Sequence, residues 1–158
     1  MRDADRLVSA FHKLQALNGR SPRCLLHGDL HLGNFAFRGD EPVFTDWQIL
    51  RMGHWAYDLG YFLPLSCTIE NRRTWERDLL RDYLRRLGSA GAEAPAFSTA
   101  WEAYRLQPIH GLMMFLATPD TMQTEEVNRI YLERFAAAAE DLGTLEALLD
   151  HRKGELHE

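Results

Sequence analysis

The chain has 158 residues, a length typical of one domain, of which 46% are hydrophobic and 26% charged. Its net charge of −5 at pH 7 argues against a nucleic-acid surface, which needs a basic field, and no apolar run reaches the roughly 18 residues that span a bilayer. Because Cys24 and Cys67 form neither a disulfide framework nor a zinc motif, and residues 1–20 lack a secretory apolar segment, we expect a cytoplasmic protein without nucleic-acid or membrane partners.

The spacing of apolar residues predicts a helix, a short strand, a hairpin and then several helices. An amphipathic helix over residues 3–17 ends at Asn18-Gly19, and residues 24–26 form a strand. The runs 35–37 and 43–45, separated by the turn residues 38–42, predict a β-hairpin. Five helices follow, at 55–66 (broken near Pro64), 71–87, about 98–118 (kinked or split by Pro108), 125–141 (capped by Thr124) and 144–151, with 88–95 as a linker. This order predicts an α+β fold that is mainly helical.

The most informative motif is the run from His27 to Asn34, HGDLHLGN, which Asp46-Trp47 follows twelve residues later. In protein kinases a catalytic-loop Asp accepts the proton of the attacking hydroxyl, an Asn five residues on holds magnesium, and an Asp on the next strand holds the metals. Asp29 and Asn34 have this spacing, and Asp46 occupies the place of the second acid. The pattern therefore predicts phosphoryl-transfer chemistry.

The predicted hairpin brings Asn34 and Asp46 close together if its two strands pair residues whose numbers sum to 80. Asn34 then lies opposite Asp46, roughly 5 Å away, so that both side chains can share one cation. Both present oxygen, which suits magnesium. A shift of one residue would place the two side chains on opposite faces of the hairpin.

Three elements carry a resemblance to a known family: His27-Gly28-Asp29 with Asn34, then Asp46-Trp47, then Asp58-Leu59-Gly60. Together they resemble the aminoglycoside phosphotransferase and choline kinase-like superfamily, whose members share the protein-kinase fold. The stretch from 46 to 63 is particularly similar to the ecdysteroid-kinase-like branch.

This resemblance implies a role for each matching residue. Asp29 would be the catalytic base, and Asn34 and Asp46 would be the magnesium ligands. His27 and Asp58 would give structural support to the catalytic loop. His31 is a possible substrate-side residue.

The resemblance also implies the reaction and the architecture. The expected reaction transfers the γ-phosphoryl group of ATP, with Mg²⁺, to a hydroxyl of a small molecule that could be an aminoglycoside, choline, a steroid or a sugar. We expect residues 1–158 to form one kinase-like C-terminal lobe, with the catalytic loop and core in 1–95 and a helical substrate-side subregion in 96–158.

The nucleotide-clamping N-terminal lobe of this superfamily has no counterpart in the pattern. Only 26 residues precede His27, no glycine-rich phosphate motif occurs, and the lysines are Lys13 and Lys153. We therefore expect this lobe to be absent or supplied in trans, and the face around Trp47, Ile49 and Leu50 that would meet it to be exposed and apolar.

Two alternatives stay open. The chain could be a non-catalytic truncated fragment or a pseudoenzyme that retains the metal-binding motif. The pattern His27-x-Asp29-x-His31 is also similar to a metallophosphoesterase site, but such a site needs further ligands, and the later histidines His110, His151 and His157 have no matching context. His54 and His110 are predicted to be surface or satisfied core groups.

Overall fold

The computed structural model describes residues 3–119 and 121–150, and the chain is mainly helical there. The helices are α1 (Asp3–Arg20), α2 (Ala56–Ser66), α3 (Ile69–Ser89), α4 (Phe97–Arg105), α5 (Pro108–Ala117), α6 (Glu125–Asp141) and α7 (Thr144–Asp150). The strands are β1 (Cys24–Leu26), β2 (Phe35–Arg38), β3 (Glu41–Phe44) and β4 (Arg51–Gly53). The strands form two antiparallel pairs, β1 with β4 and β2 with β3. The predicted α+β class, mainly helical with a small hairpin, is confirmed.

The hairpin register differs by one residue from the prediction. Arg38 pairs with Glu41, so the turn contains only Gly39 and Asp40, with Gly39 at φ 63°. Glu41 and Pro42, which we assigned to the turn, belong to β3. A proline fits there because its position in this two-stranded hairpin does not need an N–H for the ladder.

The predicted direct opposition of Asn34 and Asp46 is therefore wrong. The backbone oxygen of Asn34 accepts a hydrogen bond from the Thr45 N–H at 2.9 Å, so Thr45 takes the opposing place. Asp46 lies beyond β3 and is the one non-glycine residue with positive φ (59°) in the described part of the chain. Because the backbone turns there, the strand alternation used in the prediction does not extend to Asp46.

α1 and α2 continue past residues that were predicted to interrupt them. α1 does not stop at Asn18-Gly19 but continues to Arg20, and α2 is not broken at Pro64 but continues to Ser66, its predicted end. The predicted split at Pro108 is confirmed, since this residue begins α5. The predicted cap of α6 is also confirmed, because the Thr124 hydroxyl accepts a hydrogen bond from the Val127 N–H. The predicted final residue of the last helix, His151, lies outside the described residues.

The core of the described part of the chain consists of three hydrophobic clusters between helices. One centres on Leu80 and Tyr104, where α2, α3 and α4 meet. Another joins α1, α5 and α7, and the third joins α2, α5 and α6 around Phe135. A Cβ at Gly111 would lie 2.1 Å from the Phe135 ring, so α5 and α6 pack closely at this glycine. None of the described helices is both long and apolar enough to cross a bilayer.

The helical body also contains a buried charge network. The Arg72 side chain is 1% exposed, donates to Glu76 at 2.6 Å and also pairs with Asp141. The Tyr104 hydroxyl donates to the same Glu76 carboxylate at 3.0 Å. Burial, and then the negative charge of Glu76, raise the pKa of Tyr104. These contacts link α3, α4 and the end of α6.

Candidate active site

The candidate catalytic loop leaves β1 at His27 and turns sharply at Gly28. Gly28 has φ 88°, and a Cβ there would lie 2.8 Å from the Ile49 carbonyl oxygen. A side chain at this position would therefore meet both backbone strain and a steric clash. Asp29 follows directly, and a 3₁₀ turn over Leu32–Asn34 closes the loop before β2.

Asp58, in the first turn of α2, contacts the start of this loop. Its two carboxylate oxygens accept hydrogen bonds from the backbone N–H groups of His27 at 2.7 Å and of Gly28 at 3.0 Å. A carboxylate that accepts from two adjacent amides fixes the peptide plane between them. The contact brings residues 31 positions apart into one cluster.

The His27 ring forms a second contact that fixes the loop. The ring is buried, and its Nε2 lies 2.8 Å from the Thr45 backbone oxygen, to which it must donate. Nδ1 is then the acceptor, and it faces the Asp29 N–H at 3.4 Å. The ring thus links the loop to the end of the hairpin, close to Asp46 in sequence.

Asp29 lies between His31 and Asn34. The Asn34 Nδ2 donates to the Asp29 backbone oxygen at 2.8 Å and lies 3.5 Å from its carboxylate. On the other side, His31 Nε2 is 3.6 Å from the same carboxylate, and His31 Nδ1 accepts from the Gly33 N–H. The Asp29 side chain is 34% exposed, so it can reach both this network and a ligand.

The two proposed metal ligands, Asn34 and Asp46, differ in burial and in their hydrogen bonds. Because the Asn34 Nδ2 is used by the Asp29 carbonyl, the amide oxygen of this buried side chain is the atom left for a cation. Asp46 is exposed, and one of its oxygens lies 3.5 Å from Gln48 Nε2. Within residues 3–119 and 121–150, no group of three or more His, Cys, Asp or Glu side chains could hold a metal.

The comparison with protein families decides the class of the chain. Residues 2–106 match the family model described as "phosphotransferase enzyme family". The chain belongs to this family. The matched segment includes the loop from His27 to Asn34, Asp46 and Asp58, and the match supports the aminoglycoside phosphotransferase and choline kinase-like superfamily as well as a phosphotransferase-type function. Neither the curated proteins nor the solved structures contain a match to the chain.

Several residues near the loop of this phosphotransferase-family chain were missed by sequence reasoning. The Tyr57 hydroxyl lies 3.5 Å from the Gly28 carbonyl oxygen and 2.5 Å from His110 Nε2, and the Arg51 guanidinium lies 4.2 Å from the centre of the Tyr57 ring. Tyr61 lies one turn further along α2. The one available signal was the spacing of the two tyrosines around Asp58, since nothing in the sequence pointed to His110.

Burial and nearby charges change the acidity of these groups. Burial raises the pKa of Tyr57 to about 12, although the positive charge of Arg51 opposes the rise. Burial first and then the charge of Asp29 raise the pKa of Tyr61. Burial and the charge of Arg51 lower the pKa of His110 to about 4, so its ring is neutral at pH 7 and the prediction of a satisfied core histidine holds for it.

Proposed function

We propose that the chain forms the catalytic-loop lobe of a small-molecule kinase, which transfers the γ-phosphoryl group of ATP to a substrate hydroxyl. The observation that carries the proposal is the arrangement around Asp29. The Asp58 carboxylate accepts hydrogen bonds from the backbone N–H groups of the two residues before Asp29, His27 and Gly28. Phosphoryl transfer depends mainly on positioning and charge stabilisation. A carboxylate that is held in place and partly exposed suits the role of a base that orients the acceptor hydroxyl.

The other loop residues take supporting roles in this proposal. His27 and Asp58 keep the loop in its bent path through their backbone contacts. His31, whose Nε2 faces the Asp29 carboxylate and whose ring is one-third exposed, lies on the substrate side. The acceptor would lie between this loop and the helices that follow residue 95.

The donor set fits magnesium bound together with a nucleotide. Asn34 offers an amide oxygen and Asp46 a carboxylate, both hard oxygen ligands. Two protein ligands do not complete a six-coordinate shell, so phosphate oxygens and water would supply the rest. When bound, the ion would neutralise charge on the phosphates, and the part of Asn34 and Asp46 is to hold it beside the loop.

A nucleotide-clamping lobe outside this 158-residue chain is the second part of the proposal. Trp47, Ile49 and Leu50 are each 46% exposed, which confirms the predicted exposure of this face. Leu25 and Met52 on the neighbouring strands are 61% and 50% exposed. We call these five side chains the strand-side apolar residues. A surface of this kind suits contact with another folded body.

The test measures ATP consumption with a panel of hydroxylated acceptors, with and without a nucleotide-binding lobe from a relative in the same family. The 158-residue chain alone should bind ATP–Mg²⁺ weakly and turn over negligibly, because positioning contributes roughly 7–11 kcal/mol to such reactions. The added lobe should restore turnover. Asp29→Ala should abolish it, and Asn34→Ala or Asp46→Ala should raise the magnesium requirement.

Asp40→Ala is the matched control, since Asp40 is an exposed acid in the hairpin turn and contacts none of the proposed site residues in the described structure. It should keep full turnover. Robust, Asp29-dependent turnover by the isolated chain would contradict the need for another lobe. No turnover in any combination, with the lobe shown to bind, would favour the non-catalytic alternative.

A further inference from the structure

A cleft of about 220 Å³ lies between the second half of α1 and strand β4, beside the candidate catalytic loop. Its polar lining comes from Asn18, Arg23, Arg51, His54, Tyr57 and His110, together with the amide of Gln15. No carboxylate from the described residues lines it. The chain as a whole carries 23 acidic and 18 basic residues, so this cleft reverses the overall charge balance.

The two arginines of the cleft, Arg23 and Arg51, have no carboxylate partner among the described residues. Arg23 donates to the Met52 backbone oxygen at 3.1 Å, and the Arg51 guanidinium packs over the Tyr57 ring. In the described part of the chain, neither forms an ion pair with Asp or Glu, whereas Arg72, Arg73 and Arg105 do. Both guanidinium groups are partly held in place, which lowers the entropy cost of binding an anion.

Among the described residues, no acidic group favours protonation of the two histidines of the cleft, His54 and His110. The pKa of His54 is lowered by burial, and its Nδ1 is buried without a hydrogen-bond partner among the described residues. The field of Arg51 adds to burial in disfavouring a proton on His110. An anion in the cleft would oppose both effects.

Tyr57 connects this cleft to the candidate catalytic loop. Its hydroxyl faces His110 on one side and the Gly28 carbonyl on the other, and Gly28 directly precedes Asp29. The negative charge of Asp29 contributes to the raised pKa of Tyr57, so the two groups lie within electrostatic range. A small molecule with its acidic group at Arg51 would therefore lie beside the loop.

We infer that this cleft binds the acidic group, carboxylate or phosphate, of a small hydroxylated molecule. Resting on the proposed function, the inference makes hydroxy acids or phosphorylated alcohols the acceptors, in preference to amino alcohols and aminoglycosides. The net charge of the whole chain favours cationic ligands, but the local field at the binding point decides the sign of the ligand.

The test measures binding to the 158-residue chain by calorimetry at low salt, with four probes: inorganic phosphate, glycerate, glycerol and choline. Phosphate or glycerate should bind measurably more tightly than glycerol and choline. Binding of phosphate alone would assign a phosphorylated ligand, and binding of glycerate as well would assign a carboxylate. Arg51→Met should weaken binding of the acids by about tenfold or more, as expected for loss of one charge-assisted hydrogen bond.

Arg38→Met is the matched control, because Arg38 is an exposed arginine on the hairpin that does not line the cleft. It should leave binding unchanged, and circular dichroism should show that both variants fold. A second readout is the NMR titration of the His110 ring, whose pKa should rise from about 4 when phosphate binds. Equal losses in the two variants, tighter binding of choline, or an unmoved His110 titration would overturn the inference.

These measurements need neither nucleotide nor turnover. The proposed function and the anion-binding cleft can therefore be contradicted independently of each other. A chain that binds acids through Arg51 but never transfers phosphate would contradict the proposed function alone. An active enzyme that prefers choline over glycerate would contradict this inference alone.

Discussion

Two regions of the chain differ in which side chains they bury. We call residues 24–53 the strand region, and residues 56–117 and 125–150 the helical body. In the helical body Leu80 and Phe135 are fully buried. In the strand region the buried side chains include the polar His27 and Asn34, at 4% and 7% exposure, while Phe37 is 69% exposed. The helical body is therefore stabilised by its own core, whereas the strand region depends on contacts made at its edges.

The strand region makes few contacts with the helical body, and those at its loop are polar. Asp58 binds the amides at the start of the loop, and the ring of His27 joins the loop to the hairpin. Segments with few buried apolar contacts open locally at lower cost than packed helices do. The comparison predicts that substitutions in the two regions will differ in kind: global unfolding in the body, and local opening in the strand region.

The largest effect is expected for Arg72→Met in the helical body. Removing the Arg72 guanidinium leaves the buried carboxylate of Glu76 with the Tyr104 hydroxyl as its one remaining side-chain partner among the described residues. Breaking a buried ion pair from one side costs about 3–5 kcal/mol. Urea unfolding followed by circular dichroism should show this loss of unfolding free energy in the whole chain.

Glu133→Ala is the control, because its pair with Arg129 is 2.9 Å long but both side chains are more than half exposed. This change should alter the unfolding free energy by at most about 0.5 kcal/mol. If the two substitutions cost the same, the buried network does not stabilise the helical body in the way described.

Asp58→Asn tests what holds the strand region, and a loss of about 1.5–3 kcal/mol is expected because a charged acceptor of two amides is removed. The amide group keeps one acceptor oxygen but turns an N–H₂ toward the second backbone donor. Hydrogen exchange measured by NMR should accelerate first at the amides of His27 and Gly28. Asp78→Asn, at an 83% exposed side chain, should change neither the unfolding free energy nor the exchange rates of these amides. Uniform acceleration across α3 and α6 would contradict a local role for Asp58.

The pH dependence of the unfolding free energy should reveal the contribution of His110, which contacts the Tyr57 hydroxyl beside the catalytic loop. Its folded pKa of about 4 lies below the unfolded value of 6.5, so the unfolded chain binds more protons between these values. The contribution is complete above pH 6.5 and is lost as the pH falls toward 4, by about 3 kcal/mol in total. Tyr57 and Tyr61, which face this ring, do not titrate in that window, because burial raises the pKa of both hydroxyls.

His110→Gln should flatten this part of the profile, measured by urea unfolding between pH 4 and pH 7.5. Wild type and variant share every other carboxylate and histidine, so their difference isolates this one ring. A difference that stays constant with pH would show that the ring titrates normally in the folded chain.

Sequence reasoning succeeded where the determining interactions are local. The 3.6-residue spacing of apolar side chains predicted α3. The cap at Thr124, which predicted the start of α6, depends on one side chain and the next turn. The catalytic-loop motif was also visible, because Asp29 and Asn34 lie within one short segment. The hairpin register failed because Glu41 and Pro42 have turn-like composition but pair in β3.

Contacts between distant segments could not be predicted from the pattern. Tyr57 and His110 are 53 positions apart, and the cleft of Arg51 combines residues of α1, two strands, α2 and α5. Asp58 was singled out only through the family resemblance, since an acid in the first turn of a helix is common for reasons of capping and the helix dipole. Such contacts depend on tertiary packing.

The smallest effect on stability, with the clearest change in surface, is expected for Leu50→Ser among the strand-side apolar residues. The Leu50 side chain is 46% exposed, so its replacement should change the unfolding free energy by less than about 0.5 kcal/mol. Binding of an environment-sensitive apolar dye should nevertheless decrease, and so should association with the added nucleotide-binding lobe. Met122→Ser, at a side chain 78% exposed outside the strand region, should leave lobe association unchanged. If both variants behave alike, the exposed apolar side chains of the strand region form no contact surface. A loss of several kcal/mol at Leu50 would instead show that the strand region has a core of its own.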